Sequence, residues 1–352
     1  MKRAVFFRAD ASPEAGLGHV RRCAVLAQAC QQLGAEVHLI VRWRDVAIES
    51  AGDWTGAKIH ELPWELTPDE DAEWVVNVCQ EFGIGKGVLD HYRLSGAYQE
   101  RLGESELEWM QFGNTGHAHP LLGRWVHDAS PGAEMTGYEG RVIGAGTEFL
   151  LGPRYALVGE GFRSVRALMP GPKEEAVESI LITFGGGDDR GATMRVLGWL
   201  DRLGFGGRRL VLTGPTNGSL GALCAAAEGA GNLEVQVGNW EPAEAMGRCQ
   251  LAVCAGGTSL HELACLGLPA VILTIADNQV APAKAWQRAG LGEHLGALID
   301  GVDSAACEVL GSVLKSSERR LRMAEKAWSG QDGLGSQRVA RRVLGLMGAV
   351  AD

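Results

Sequence analysis

Short apolar runs alternate with helix-period segments as far as about residue 150: AVFFRA (4–9), AEVHLIV (35–41), KIHEL (58–62), a helical pattern over 68–82, GVLD (87–90) and LEWMQF (107–112). The alternation restarts with SILITF (179–184), a helical pattern over 189–204, RLVLT (209–213), a second helical pattern over 218–230, LEVQV (233–237), LAVC (251–254) and AVILTI (270–275). Strands separated by helices cannot pair as hairpins, so each crosses over its helix and lies parallel to its neighbour. Each half is expected to be a doubly wound α/β sheet, and the two sheets to face a cleft lined by strand C-termini, where such sheets hold ligands.

The expected boundaries are an N-terminal domain over 1–152, a Gly- and Pro-containing linker over about 153–178, and a C-terminal domain over 179–352. A chain of 352 residues suffices for two cores. The last helical pattern, SQRVARRVLGLMG, is basic and amphipathic, which suits a helix packed back on the protein better than a membrane-surface helix.

A formal net charge of −10 argues against a nucleic-acid or anionic-membrane partner, which would need a basic face. The first residues are too polar for a signal-peptide core, and no apolar run approaches a membrane span. The eight cysteines form no C-x-x-C pair and sit mostly in apolar stretches. They read as reduced core residues of a cytoplasmic protein.

Between the first strand and the first helix lies DASPEAGLGHVRR (10–22). Val20, Cys23, Ala24, Ala27 and Cys30 recur at helical spacing and Gly34 ends the helix. His19 therefore falls on the first helical turn, where free backbone N–H groups and the positive helix end favour an anion. It is the leading catalytic candidate.

Two glycine-rich turns follow strands of the second half. Gly185-Gly186-Gly187 and Gly256-Gly257-Thr258-Ser259 suit close backbone approach to a pyrophosphate. Neither carries the G-K-[ST] of a P-loop or the G-x-G-x-x-G of a dinucleotide site. Glu262, on the helix after the second turn, is placed to accept hydrogen bonds from a ribose diol. Asn278 and Gln279, in the loop after a buried strand, offer amides to sugar hydroxyls or N-acetyl groups.

Asp90-His91-Tyr92 closes a strand and is expected at the same cleft. Grouping His91 with His117, His119, His127 and Asp128 as a metal site lacks ligand-like spacing, so no metal is expected. Asp69-Glu70-Asp71 resembles a metal-binding D-x-D, yet it follows Pro68 where acids complement a helix start.

These strings occur together: R-x-D-A-S (8–12), G-x-G-H-V-x-R-C (16–23), L-D-H-Y (89–92), L-L-G-P-R-Y-A-L (150–157), F-G-G-x-D (184–188), A-G-G-T-S-x-x-E with C-L-G-L-P (255–269), and A-D-N-Q (276–279). The combination resembles the UDP-sugar hydrolases of pseudaminic acid biosynthesis over nearly the whole chain. The resemblance implies a GT-B-like fold of two Rossmann-like domains, related to the lipid II-type N-acetylglucosaminyltransferases. It implies as substrate UDP-2,4-diacetamido-2,4,6-trideoxy-β-L-altropyranose, cleaved to UDP and the free sugar. The family's catalytic histidine falls on His19 and its ribose-binding glutamate on Glu262. Its nucleotide turns fall on Gly185, Gly186, Gly256, Gly257, Thr258 and Ser259. Its sugar-site positions fall on Asp10, Gly18, Tyr92, Asn278 and Gln279. The chain departs from the family pattern at His261, where tryptophan is usual, at Gly187-Asp188-Asp189, and at Gly113-Asn114, where an acidic pair is usual.

The expected reaction is metal-independent hydrolysis at C1 with inversion, without a cofactor. UDP is a good leaving group, so the missing element is a base for water, and a histidine titrating near neutrality supplies it. A glycosyltransferase of the same architecture and a nucleotide-sugar-binding protein without turnover are the alternatives.

Overall fold

The computed structural model describes residues 3–12, 17–45, 52–113, 119–238, 242–298 and 303–346. The glycine-rich turn at 13–16, Asn114 and His117 lie outside the described residues. The chain forms two compact units, one of residues up to Leu157 together with those from Leu334 onward, the other Val158–Gly333.

Unit 1 holds β1 (Ala4–Ala11), α1 (Gly18–Gln32), β2 (Glu36–Trp43), β3 (Lys58–Glu61), α2 (Pro68–Phe82), β4 (Lys86–Asp90), α3 (Gly96–Gly103), β5 (Glu108–Phe112), β6 (Trp125–Asp128) and β7 (Glu148–Leu151). They form a seven-stranded parallel sheet ordered β3-β2-β1-β4-β5-β6-β7. Every strand except the edges is covered on both faces, so alternation along β1 sends residues to two cores rather than to core and solvent. Val5, Phe7 and Ala9 pack with α1, whereas Phe6 packs with α2 and α3.

Arg8 shares Phe6's side and is fully buried there. Its guanidinium donates to Asp71 at 2.9 and 2.5 Å and to Asp10 at 2.6 Å, and Asp71 also accepts from the Tyr98 hydroxyl at 2.9 Å. The D-x-D region thus divides. Glu70 closes a capping box with Thr67, as acids at a helix start should. Asp71 instead points into the core to neutralise Arg8, a role that helix-start chemistry does not describe.

Unit 2 holds α4 (Glu160–Leu168), β8 (Ser179–Thr183), α5 (Ala192–Arg202), β9 (Arg208–Thr213), α6 (Leu220–Gly229), β10 (Leu233–Val237), α7 (Pro242–Gly247), β11 (Leu251–Cys254), α8 (Ser259–Cys265), β12 (Ala270–Thr274), α9 (Val280–Arg288), β13 (Gly292–Ala297), α10 (Asp303–Lys315) and α11 (Ser317–Gly330). Its six-stranded parallel sheet is ordered β10-β9-β8-β11-β12-β13. The near-continuous apolar runs of β8, β11 and β12 are buried, as a sheet covered on both faces requires.

Two boundaries differ from the expected ones. Within the expected linker, α4 is part of unit 2: Arg166 stacks on Trp328 at 3.5 Å and donates to the Cys265 and Trp328 carbonyls at 2.6 and 2.9 Å. The last helix, α12 (Gly335–Val343), belongs to unit 1 rather than to the C-terminal domain. Its Val339, Ala340 and Val343 share the core of Val20, Cys23 and Ala27 on α1. Close approach explains the glycine at its start, since a Cβ on Gly335 would sit 2.2 Å from the Ala156 carbonyl oxygen. The amphipathic stripe requires a buried face but does not say which unit supplies it. Among the described residues no helix is long and apolar enough to cross a membrane.

Candidate functional site

In unit 1 the order of connection reverses between β1 and β4, which leaves a crevice at their carboxyl ends. Helix α1 starts beside it. Gly18 opens the helix in an exposed position, and a Cβ there would meet no atom of the other described residues within 4 Å.

His19 follows, nine-tenths buried, with Nε2 3.9 Å from Asp90 Oδ1 and its ring edge-on to Tyr92 at 4.6 Å between centroids. Asp90 is 1% exposed and held by both arms of Arg22, Nε and Nη2 each donating at 2.5 Å. The Arg22 guanidinium lies over the Phe112 ring at 3.7 Å. Burial alone would push the Asp90 carboxyl up, but the Arg22 charge and its hydrogen bonds, with His19 and His91 adding, hold it below the usual carboxylate range. Cys23 lies within 3.8 Å of the same carboxylate, and burial followed by that negative charge pushes its thiol well up. It is thus no nucleophile. Arg22 was not singled out from sequence, although its i, i+3 spacing from His19 places both on one helix face.

Strand alternation separates the members of the Asp90-His91-Tyr92 motif. Asp90 goes to the α1 side; His91 goes to the α2 side, among Arg8, Asp10 and Asp71. There burial first, then the Arg8 charge, pulls the His91 imidazole down to about 3. His91 therefore stays neutral at physiological pH and is too weak a base for the proton transfer. Its Nδ1 accepts from the Arg93 backbone N–H at 3.3 Å. Tyr92 is 46% exposed and remains at the His19 site.

Asp10 does not join His19's side of the sheet. One oxygen accepts from Arg8 and the other from Arg42 at 2.8 Å. Burial would raise its carboxyl, but Arg8, His91 and Arg42 lower it to about 2. As a sugar contact it would have to share oxygens already engaged by two guanidinium groups. It shapes the end of β1.

Unit 2 has the same reversal between β8 and β11, and both glycine turns flank it. Gly185 has φ +93°, a conformation that favours glycine. A Cβ on Gly256 would lie 2.7 Å from the Gln279 carbonyl oxygen, so the second turn packs directly against the loop after β12. Gly187 and Gly257 face open space. Thr258 is exposed, and Ser259 and Glu262 are half-buried on α8. Asn278 is exposed, whereas Gln279 turns its side-chain oxygen inward to accept from the Ile275 N–H at 3.0 Å. Gln279 thus fastens its own loop.

A third turn, Gly214 to Gly218, also reaches this edge and carries no motif recognised in the sequence. A Cβ on Gly214 would fall 1.8 Å from the Gly186 carbonyl oxygen, and Thr216 donates to that same oxygen at 3.2 Å. Asp188 accepts from the Gly218 N–H at 3.1 Å, and Asp189 from the Gly191 and Thr193 N–H groups at 2.9 and 3.1 Å. Asp188 and Asp189 of the departure at 187–189 are therefore loop fasteners. His261 sits edge-on to Trp286, with Nδ1 3.3 Å from Gln331 Oε1, while the Gln331 amide donates to the His261 carbonyl. Gly113 also has a local cause, because a Cβ there would meet the Tyr138 hydroxyl at 2.6 Å.

His127 Nε2 donates to the Tyr155 carbonyl at 2.8 Å and Asp128 accepts from the Tyr138 hydroxyl at 2.7 Å. Among the described residues no group of three or more His, Cys, Asp or Glu side chains could hold a metal ion. All eight cysteines are free thiols.

No family model matches the chain. It is 23% identical over 343 residues to the spore coat polysaccharide biosynthesis protein SpsG of Bacillus subtilis (strain 168), which covers 94% of this chain and 95% of that protein. Among solved structures it is similar to Acinetobacter baumannii MurG, with TM-score 0.66 and 15% identity over 98% of this chain and 100% of that one. It is similar also to the UDP-GlcNAc 2-epimerase of Neisseria meningitidis bound to UDP-GlcNAc, with TM-score 0.60 and 10% identity over 97% and 100% of the two chains. With two parallel, doubly wound sheets and likenesses that span nearly its whole length, the chain has a GT-B-like fold of two Rossmann-type units.

Proposed function

We propose that the protein hydrolyses a UDP-activated diacetamido-trideoxy sugar at C1, releasing UDP and the free sugar with inversion and without a metal. The carrying observation is His19 on the first turn of α1, facing a buried carboxylate that Arg22 keeps ionised. Such a histidine accepts a proton from water, and the carboxylate across from it stabilises the imidazolium that results. Asp90 itself stays ionised and takes no proton. Backbone N–H groups of the turns at 185–187 and 256–257 suit the diphosphate, and Glu262 the ribose. That a UDP-GlcNAc 2-epimerase with bound UDP-GlcNAc shares the fold supports a UDP-sugar as the substrate class.

The bond that breaks is the test. A base acting at the sugar carbon directs water to C1, whereas a pyrophosphatase directs it to phosphorus. Turnover of UDP-2,4-diacetamido-2,4,6-trideoxy-β-L-altropyranose in ¹⁸O-water should label the anomeric oxygen and leave UDP unlabelled, read before anomeric exchange. Label in the released nucleotide overturns the mechanism. UDP release only when an acceptor hydroxyl is added would identify a glycosyltransferase instead.

Glu262→Ala is expected to weaken UDP binding more than it slows the bound complex, because a ribose contact is made alike in ground and transition states. Calorimetry with UDP decides it; unchanged affinity removes Glu262 from the nucleotide site.

A further inference from the structure

We propose that the Arg22–Asp90 ion pair is the positioning element of the His19 site: Arg22 fixes the carboxylate, and the carboxylate governs when His19 takes up a proton. This rests on His19 being the base. Arg22, on the same helix face as His19, grips both Asp90 oxygens at 2.5 Å and is itself pinned against Phe112 at 3.7 Å. The clamp therefore joins α1 to the ends of β4 and β5, and the buried carboxylate has no freedom to turn. The oxygen that accepts from Arg22 Nη2, Oδ1, is also the one 3.9 Å from His19 Nε2. A planar two-armed donor suits this task, and a lysine would not reproduce it.

Among the described residues, the groups near His19 include the Asp90 anion at the end of β4 and the Tyr92 ring beyond it; the Arg22 cation and the un-ionised Cys23 thiol of α1 both contact Asp90, and neutral His91 lies on the other side of the sheet. A lone carboxylate at this distance would favour the imidazolium. A lone guanidinium would oppose the imidazolium formed during reaction. The pair, whose Asp90 Oδ1 lies 3.9 Å from His19 Nε2, balances the two effects. In the step itself the water oxygen bonds to C1 as the C1–O bond to the diphosphate breaks. UDP leaves with the electron pair, and the water's proton passes to His19 and then to solvent.

The test is an NMR titration of the His19 ring C–H signals, assigned by their loss in His19→Gln, which needs no substrate. Asp90→Asn should lower the His19 midpoint by about one to three units, the usual effect of removing an opposite charge at this range. Arg22→Met should raise it, since His19 becomes the nearest cation for a buried carboxylate. Arg22→Lys keeps the charge without the fork and should leave the midpoint within about half a unit while lowering kcat about tenfold at constant KM. Opposite shifts in the first two variants, in protein folded by circular dichroism, support the proposal; shifts in the same direction, or none, overturn it. The acid limb of kcat/KM for the UDP-sugar named above should follow the midpoint. An acid limb that stays while the midpoint moves supports the pair's control of His19 and removes His19 as the base.

Discussion

His19→Ala should lower kcat for UDP release by about 10²–10⁴, the usual worth of a positioned general base, and leave UDP affinity near that of the parent. On the proposed reading His19, on α1 of unit 1, supplies the proton acceptor and the nucleotide is assigned to the glycine turns and Glu262 of unit 2, so the substitution is expected to spare UDP binding. The other buried histidine of this region does not substitute for it. His91 is held neutral down to about pH 3 and faces the opposite side of the sheet, so its basicity is several orders of magnitude too low. Steady-state assays beside UDP calorimetry separate the two effects. Turnover within about threefold of the parent would show that His19 is not the base.

Asp71→Ala should cost about 3–5 kcal/mol of stability, because it leaves a fully buried guanidinium without its bidentate partner. Asp10 still accepts from Arg8, but that carboxylate is shared with Arg42. Urea denaturation measures the loss, and a change below about 1 kcal/mol would show that the network relaxes around the deletion. The same network dictates an acid-labile fold. Asp10, Asp71 and Asp90 all have carboxyls held below the unfolded range, in each case because arginine outweighs burial. Their contribution is complete above the unfolded carboxylate pKa of about 4. It is lost as pH falls through the folded values, about 2 for Asp10. Stability should begin to fall below about pH 6.5, where the unfolded chain protonates the histidines that burial keeps neutral in the fold, His91 foremost, and decline more steeply below about pH 4 as the carboxylate contribution is lost as well.

The doubly wound sheets were legible because periodicity reports burial locally: a run such as AVILTI is apolar throughout only where both faces of a strand are covered. Helix α2 spans the expected residues, since Pro68 and the Thr67–Glu70 box mark its start and Gly83, at φ +65°, its end. β6, β7 and β13 escaped notice. The first two are four residues long, and β13 begins GEHLG, so neither length nor apolar run announces them.

The site was read in part, and the division has one cause. The placement of His19 on the first turn of α1, of the turns at 185–187 and 256–257 after their strands, and of Glu262 on α8 was legible because it is local: a glycine conformation or the start of a helix follows from a few neighbouring residues. Arg22, Asp71 and the turn at 214–218 were not, because each acts through partners distant in sequence. Asp90 is 68 residues from Arg22, Asp71 is 63 from Arg8, and Thr216 is 30 from Gly186. Asp10 shows the same limit: the family resemblance places it at a sugar-site position, and only the structure shows that Arg8 and Arg42 engage both its oxygens. Which of two covered faces a strand residue enters, and which unit buries the stripe of α12, depends on how the elements pack, since local pattern specifies that a face is covered without naming what covers it.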